Sequence, residues 1–199
     1  MQIEKKECFV DGIKIEGLYE IYPKIRKDSR GYFMESYNEA DFSQAGIAVK
    51  FVQDNISKSV KGVLRGLHFQ THHPQAKLVG VIVGKVFDVV VDLRKGSKTF
   101  GKNYSYILDG EEKNMLFVPE GFAHGFYVLS DEAIFTYKCS DFYDPQGEGG
   151  LMWNDKQIGI DWNSVIGDFN PILAEKDKNH HAFDFSKDYF DINGKWLGK

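Results

Sequence analysis

Between residues 60 and 140 the chain never sustains a 3.6-residue period; its apolar residues recur at every second position in short runs. The clearest are Lys77–Val83 and 85–93, which read as a pair joined at Gly84. In the first, Val79, Val81 and Val83 alternate. In the second, Phe87, Val89, Val91 and Leu93 share one face, and Val86, Asp88, Val90 and Asp92 the other. Three further runs, 114–118, 122–129 and 132–140, are separated by Pro119-Glu120-Gly121 and by Ser130-Asp131, both turn-forming. Beta-branched and aromatic residues dominate each run. Such a chain buries apolar surface only by facing sheets against each other. An all-β sandwich or barrel follows, with the double-sheet jelly roll as one common solution.

The flanks are less regular. Residues 17–23 and 31–37 are strand candidates, and 39–46 is the best short helix, ending at Gly46. Beyond 150 the pattern loosens, but Trp153, Trp162 and Trp196 point to an ordered tail packed on the body. The 199 residues fit one large domain, and 42% hydrophobic residues supply a core. No apolar run approaches the roughly 20 residues of a membrane span. Residues 1–7 carry charges where a signal peptide needs an apolar stretch, so a cytoplasmic location is expected. A net charge of −4 argues against binding long nucleic acids, though not against one small anion. The two cysteines, Cys8 and Cys139, are too few for a disulfide framework and lack metal-ligand spacing.

Chemistry concentrates in a few runs. Arg65 and His68, in Leu64-Arg65-Gly66-Leu67-His68, are costly to bury without partners, so each needs a cleft or a charged neighbour. Strict alternation puts them on opposite faces; they share a cleft only if the strand bulges, and Gly66 is the least costly place for it. His124, between Ala123 and Gly125, has room for a ligand beside it. A buried, hydrogen-bonded core histidine explains either residue equally. His72 and His73 lie in a loop and are expected to be solvated, and His180 and His181 carry little signal. The position two after His68 is Gln70, and two after His124 is Phe126, so the paired inward histidines of a strand metal site are missing. Lys77 opens its strand and Tyr137 shares a face with Phe135 and Cys139; alone, each reads as structural.

Together these segments resemble the dTDP-4-dehydrorhamnose 3,5-epimerase family. The resemblance rests on Arg30-Gly31-Tyr32-Phe33-Met34-Glu35-Ser36, Phe51-Val52-Gln53-Asp54-Asn55, the run from Gly62 to Gln70, Gln75-Ala76-Lys77-Leu78-Val79, and the run from Val86 to Arg94. It continues through Pro119 to Phe126, Tyr137-Lys138-Cys139, Trp153-Asn154-Asp155 and Glu175-Lys176-Asp177, covering roughly residues 10–178. It implies a cupin-type double-stranded β-helix (jelly roll) with short peripheral helices. It also implies a homodimer, no metal and no organic cofactor. The expected organisation is one domain over 1–199, with strands in about 1–45 exchanged across the dimer and a loose tail over about 178–199.

The implied substrate is a dTDP-linked 4-keto-6-deoxy sugar, inverted at carbons 3 and 5 through an enolate. On this resemblance His68 is the base, Asp177 its supporting carboxylate, Lys77 the group at the ketone oxygen and Tyr137 the acid on the opposite face. His124 holds the sugar. Arg30, Arg65 and Lys176 are matched to the diphosphate, Gln53 and Asn55 to sugar or phosphate, Glu35 to thymine or a hydroxyl, and Glu148 to a further binding position. Arg30 and Glu35 are expected to serve the neighbouring protomer's site. Ala76 stands where many members carry glycine. The alternatives are a single-site 3- or 5-epimerase on a related nucleotide-linked 4-ketosugar, a silent sugar-nucleotide binder, and a metal-dependent cupin enzyme.

Overall fold

A computed structural model of the chain describes residues 2–164 and 170–198. Its strands are β1 (Ile3–Val10), β2 (Ile13–Pro23), β3 (Arg26–Asp28), β4 (Gly31–Phe33), β5 (Gln53–Val60), β6 (Leu64–Gln70) and β7 (Lys77–Val83). They continue as β8 (Lys85–Asp92), β9 (Asn103–Asp109), β10 (Met115–Val118), β11 (Phe122–Val128), β12 (Glu132–Cys139) and β13 (Glu148–Gly150). One sheet runs in the order β1-β2-β10-β7-β12-β5 and a second in the order β13-β6-β11-β8-β9, while β3 and β4 form a separate exposed hairpin. This is the jelly-roll arrangement expected of the sequence.

The expected pairing of β7 with β8 does not occur. β7 lies in the first sheet between β10 and β12, β8 lies in the second between β11 and β9, and Gly84 is where the chain passes between them. The reason is in β8 itself, which is buried on both faces and must be covered from both sides. Its even-numbered face, Val86 and Val90, packs with Val79, Leu116, Phe126 and Phe135 between the sheets. Its odd-numbered face, Phe87, Val89 and Val91, meets the tail residues Trp162, Phe183, Tyr189 and Phe190. The segment beyond 150 is thus a second layer over one sheet, with Phe183 and Phe190 each only 1% exposed.

Two other expectations need adjusting. The 31–37 strand stops at Phe33, and Tyr37 turns inward to pack on Phe42 and Phe51. Helix α1 (Glu39–Gln44) is capped by the Asn38 side chain, which accepts from the backbone N–H groups of Ala40 and Asp41, and it buries Phe42 over the first sheet. Among the described residues no helix is long and apolar enough to cross a membrane.

Candidate active site

One end of the space between the sheets is open. A cavity of about 420 Å³ there is lined by Arg65, His68 and His124 from the second sheet and by Lys77, Phe135 and Tyr137 from the first. The irregularity anticipated at Gly66 puts Arg65 and His68 on the same side. Across β6 and β11, His68 pairs with His124 but Arg65 pairs with Phe126, so the register slips by one residue between them. Leu67 and Phe69 pack in the layer beneath the tail, while Leu64, Arg65 and His68 line the cavity.

Gly66 has φ +122°, and a Cβ there would lie 2.5 Å from the Gly125 Cα and 2.9 Å from the His124 carbonyl oxygen. Gly66→Ala is expected to destabilise the fold by about 2 kcal/mol or more. It should also lower activity, because the misfit falls between the two cavity residues. Thermal unfolding and turnover of the purified variant check this; unchanged values for both would remove the bulge as the positioning device.

The tail delivers the partner of His68. A parallel bridge between Val63 and Ile172 ties the tail to the start of β6, and the single 3-10 turn Lys176–Lys178 then carries Asp177 under the imidazole. Asp177 Oδ1 lies 2.6 Å from His68 Nε2, and the carboxylate is only 2% exposed. Burial by itself raises the Asp177 pKa. The His68 hydrogen bond and charge, with Lys176 and His180, outweigh it and hold the carboxyl below its ordinary range. Asp177 is therefore an acceptor, which fixes the His68 proton on Nε2 and leaves the Nδ1 lone pair free.

His124 has its own buried carboxylate. Its Nε2 lies 2.9 and 3.0 Å from the two oxygens of Asp88, which is fully buried on the inner face of β8. The ring stacks over Phe135, which in turn stacks on Phe126. These rings give the cavity an apolar floor. Beside it the Lys77 ammonium is pulled below its ordinary range by burial, with the charges of Asp88 and Glu148 opposing only in part. Burial also pushes the Tyr137 phenol up, so it stays protonated at neutral pH.

A contiguous recess of about 290 Å³ shares His68, Lys77, Tyr137 and Glu148 and adds Gln53 and Asn55, two successive inward positions of β5. Gln53 donates through Nε2 to Asn55 Oδ1 at 3.0 Å. At the rim Glu148 accepts from Lys176 Nζ at 2.5 Å and from the Tyr143 hydroxyl at 3.0 Å. Burial alone would raise the Glu148 pKa, but these two donors bring it below the ordinary range. Ten of the twelve anticipated residues thus line the two connected spaces. The other two do not: Arg30 sits exposed on the β3–β4 hairpin, bonded to Asp28, and Glu35 is exposed beyond it.

The chain matches the family described as dTDP-4-dehydrorhamnose 3,5-epimerase over residues 12–184. The chain belongs to that family. A dTDP-4-dehydrorhamnose 3,5-epimerase of Shigella flexneri is 54% identical over 170 residues, covering 84% of this chain and 91% of that protein. Among solved structures, the dTDP-6-deoxy-D-glucose-3,5-epimerase of Legionella pneumophila in complex with dTDP-4-keto-L-rhamnose superposes with a TM-score of 0.83 at 45% identity. It covers 90% of this chain and 92% of its own. A 3'-monoepimerase of Streptomyces bikiniensis in complex with dTDP-quinovose gives a TM-score of 0.78 at 33% identity, with 84% of each chain covered. As a member of this epimerase family the chain is an isomerase.

Three residues at the site escaped the sequence reading. Asp88 had a usable signal, since a carboxylate in the apolar run Val86-Phe87-Asp88-Val89 needs a buried partner. Tyr143 had none. His180, expected to carry little, lies with its ring 5.5 Å from that of His68 and its Nε2 3.5 Å from Asp177 Oδ1. Only the tail's return path makes that proximity, and no local pattern encodes it. His72 and His73 are exposed as expected, paired with Asp144 and Asp141.

Proposed function

We propose that the chain inverts carbons 3 and 5 of dTDP-4-dehydro-6-deoxy-D-glucose to give dTDP-4-dehydro-L-rhamnose, with His68 as the base and Tyr137 as the acid. The observation that carries this reading is the pairing of a carboxylate-backed imidazole on one sheet with a neutral phenol on the facing sheet, in one cavity. The ketone at carbon 4 acidifies the hydrogens at carbons 3 and 5. His68 Nδ1 removes one, and electrons move onto the ketone oxygen as an enolate. Lys77 stabilises that oxygen; a preorganised donor of this kind is worth about 3–4 kcal/mol. Tyr137 then protonates the opposite face; its phenolate recovers a proton from solvent, and His68 releases to solvent the one it took.

Arg65 and Lys176 are assigned to the diphosphate, Gln53, Asn55 and Glu148 to sugar or phosphate contacts, and His124, fixed by Asp88, to the sugar. Arg30 and Glu35 line neither of the two connected spaces, which suits contribution to a neighbour's site in a homodimer. Tyr32 and Phe33 beside them are 53% and 64% exposed, apolar surface that such a dimer would cover. The reading takes the chain as one domain with strands in about 1–45 exchanged, acting in the cytoplasm. Nuclear magnetic resonance of the product tests the stereochemical claim. Inversion at both carbons is expected; inversion at carbon 3 alone would replace it with the single-site reading, which the likeness to a 3'-monoepimerase keeps in view.

Lys77 gives a pH signature. Its ammonium must be charged to stabilise an oxyanion, and its pKa lies below the ordinary lysine range. Activity is therefore expected to fall as pH rises through that lowered value, while Tyr137 remains protonated. Stability moves the other way: over the window between the folded and unfolded Lys77 pKa the unfolded chain binds more protons, so wild type gains relative to Lys77→Met as pH rises. Rate profiles of wild type and Lys77→Arg check the first half. The arginine variant should lose this alkaline limb, and an unmoved limb would assign it elsewhere.

A further inference from the structure

His180 Nε2 is buried and makes no well-formed hydrogen bond among the described residues, its 3.5 Å contact with Asp177 Oδ1 being an ion-pair distance. A buried imidazole nitrogen left this way is costly. The placement is nonetheless specific: the ring lies across the backbone of Gly150, where a Cβ would come within 2.3–2.5 Å of its atoms. Gly150 is also the direct cross-strand partner of His68. One ligand atom each from His68, Asp177 and His180 gathers within 4.8 Å.

We propose that His68, Asp177 and His180 form a binding site for one divalent transition-metal cation of the zinc class, and that its occupancy switches the epimerase off. Two imidazole nitrogens and a carboxylate oxygen are the donors such a cation takes, with a fourth position left to water. Tetrahedral coordination with bonds of about 2.0–2.1 Å spaces the donors by about 3.3 Å. The 3.5 Å separation of His180 Nε2 from Asp177 Oδ1 is close to that, and the 2.6 Å His68–Asp177 contact must lengthen by about 0.7 Å to match it. Lys176, whose charge acts on Asp177, is paired with Glu148.

The switching half rests on His68 being the base. Free, the imidazole carries its proton on Nε2 and offers the Nδ1 lone pair to substrate. A cation on Nε2 takes that lone-pair position, and the single proton of the neutral ring moves to Nδ1. No proton is gained or lost, but the nitrogen that must accept one is now occupied. His180 then supplies a ligand the epimerisation itself does not use.

Cobalt(II) reads binding separately from catalysis. Added to chelator-treated protein, it should develop the visible bands of a low-coordinate site, saturating at one ion per chain. Zinc should displace those bands and inhibit turnover over the same concentration range, reversibly with chelator. His180→Asn should weaken cobalt binding and zinc inhibition together by at least about 100-fold, because even outer-shell partners are worth roughly 10–100-fold. His180→Phe, which keeps a ring over Gly150, should do the same if the first variant folds poorly. His72→Asn/His73→Asn removes the surface imidazoles and should change neither. Absence of cobalt bands, bands unchanged by either His180 variant, or saturated binding without inhibition would each overturn the proposal. If cobalt binds through His180 but the protein shows no epimerase activity without metal, the failure lies with the function and not with the site.

Discussion

His68→Ala is expected to reduce turnover by about 10²–10⁴-fold, the usual contribution of a positioned general base, and to stop exchange of substrate hydrogens with solvent. The loss should be this large because His124 and Lys77, the bases beside it in the cavity, are otherwise engaged. His124 donates its Nε2 proton to Asp88 on the wall next to His68, and its ring is packed flat on Phe135. Lys77 is needed charged, and Asp177 loses the His68 contacts that hold it below its ordinary range. Asp177→Asn should show a smaller loss: an amide that donates to Nε2 places the proton on Nδ1, the wrong nitrogen, but one that accepts through its oxygen keeps the active tautomer. Rates and deuterium exchange of the two variants check the ordering. Wild-type exchange in His68→Ala would mean that another base acts.

Tyr137→Phe should separate two events that run together in the wild type. The enolate still forms, because His68, Asp177 and Lys77 are untouched. The proton source still in place is His68, which returns a proton to the face from which it came. Substrate should therefore recover deuterium from heavy water with its configuration retained, while inversion falls by about 10²-fold or more. The phenol suits this task because burial raises its pKa, so the enzyme holds it protonated when the enolate appears. Full inversion by Tyr137→Phe would remove Tyr137 as the acid and point to water or Tyr143.

The fold class was legible because the runs at β7, β8, β10, β11 and β12 are short, rich in β-branched and aromatic residues and bounded by turns. What alternation did not contain was partnership. Period two names the faces of a strand but not the sheet it joins, so β7 and β8 looked like a hairpin although each pairs elsewhere. β1 was missed although its signal was present: Asp11 and Gly12 both have positive φ, the turn chemistry an Asp-Gly pair announces. At the site, the need for a bulge at Gly66 followed from the positions of Arg65 and His68 alone. The pairing of His68 with a carboxylate 109 residues away did not. It came from the family resemblance, because the tail that brings Asp177 back has no periodicity to read. His180 rides on that same return path, three residues further on, and was passed over for the same reason.

The central claim is an acid and a base acting across one enolate at two carbons. Incubating the wild-type protein with dTDP-4-dehydro-6-deoxy-D-glucose in deuterated water, and reading carbons 3 and 5 by nuclear magnetic resonance, tests it most directly. Deuterium at both carbons, with both centres inverted, is the expected result. Tight binding of the sugar nucleotide with no deuterium at either carbon would contradict it.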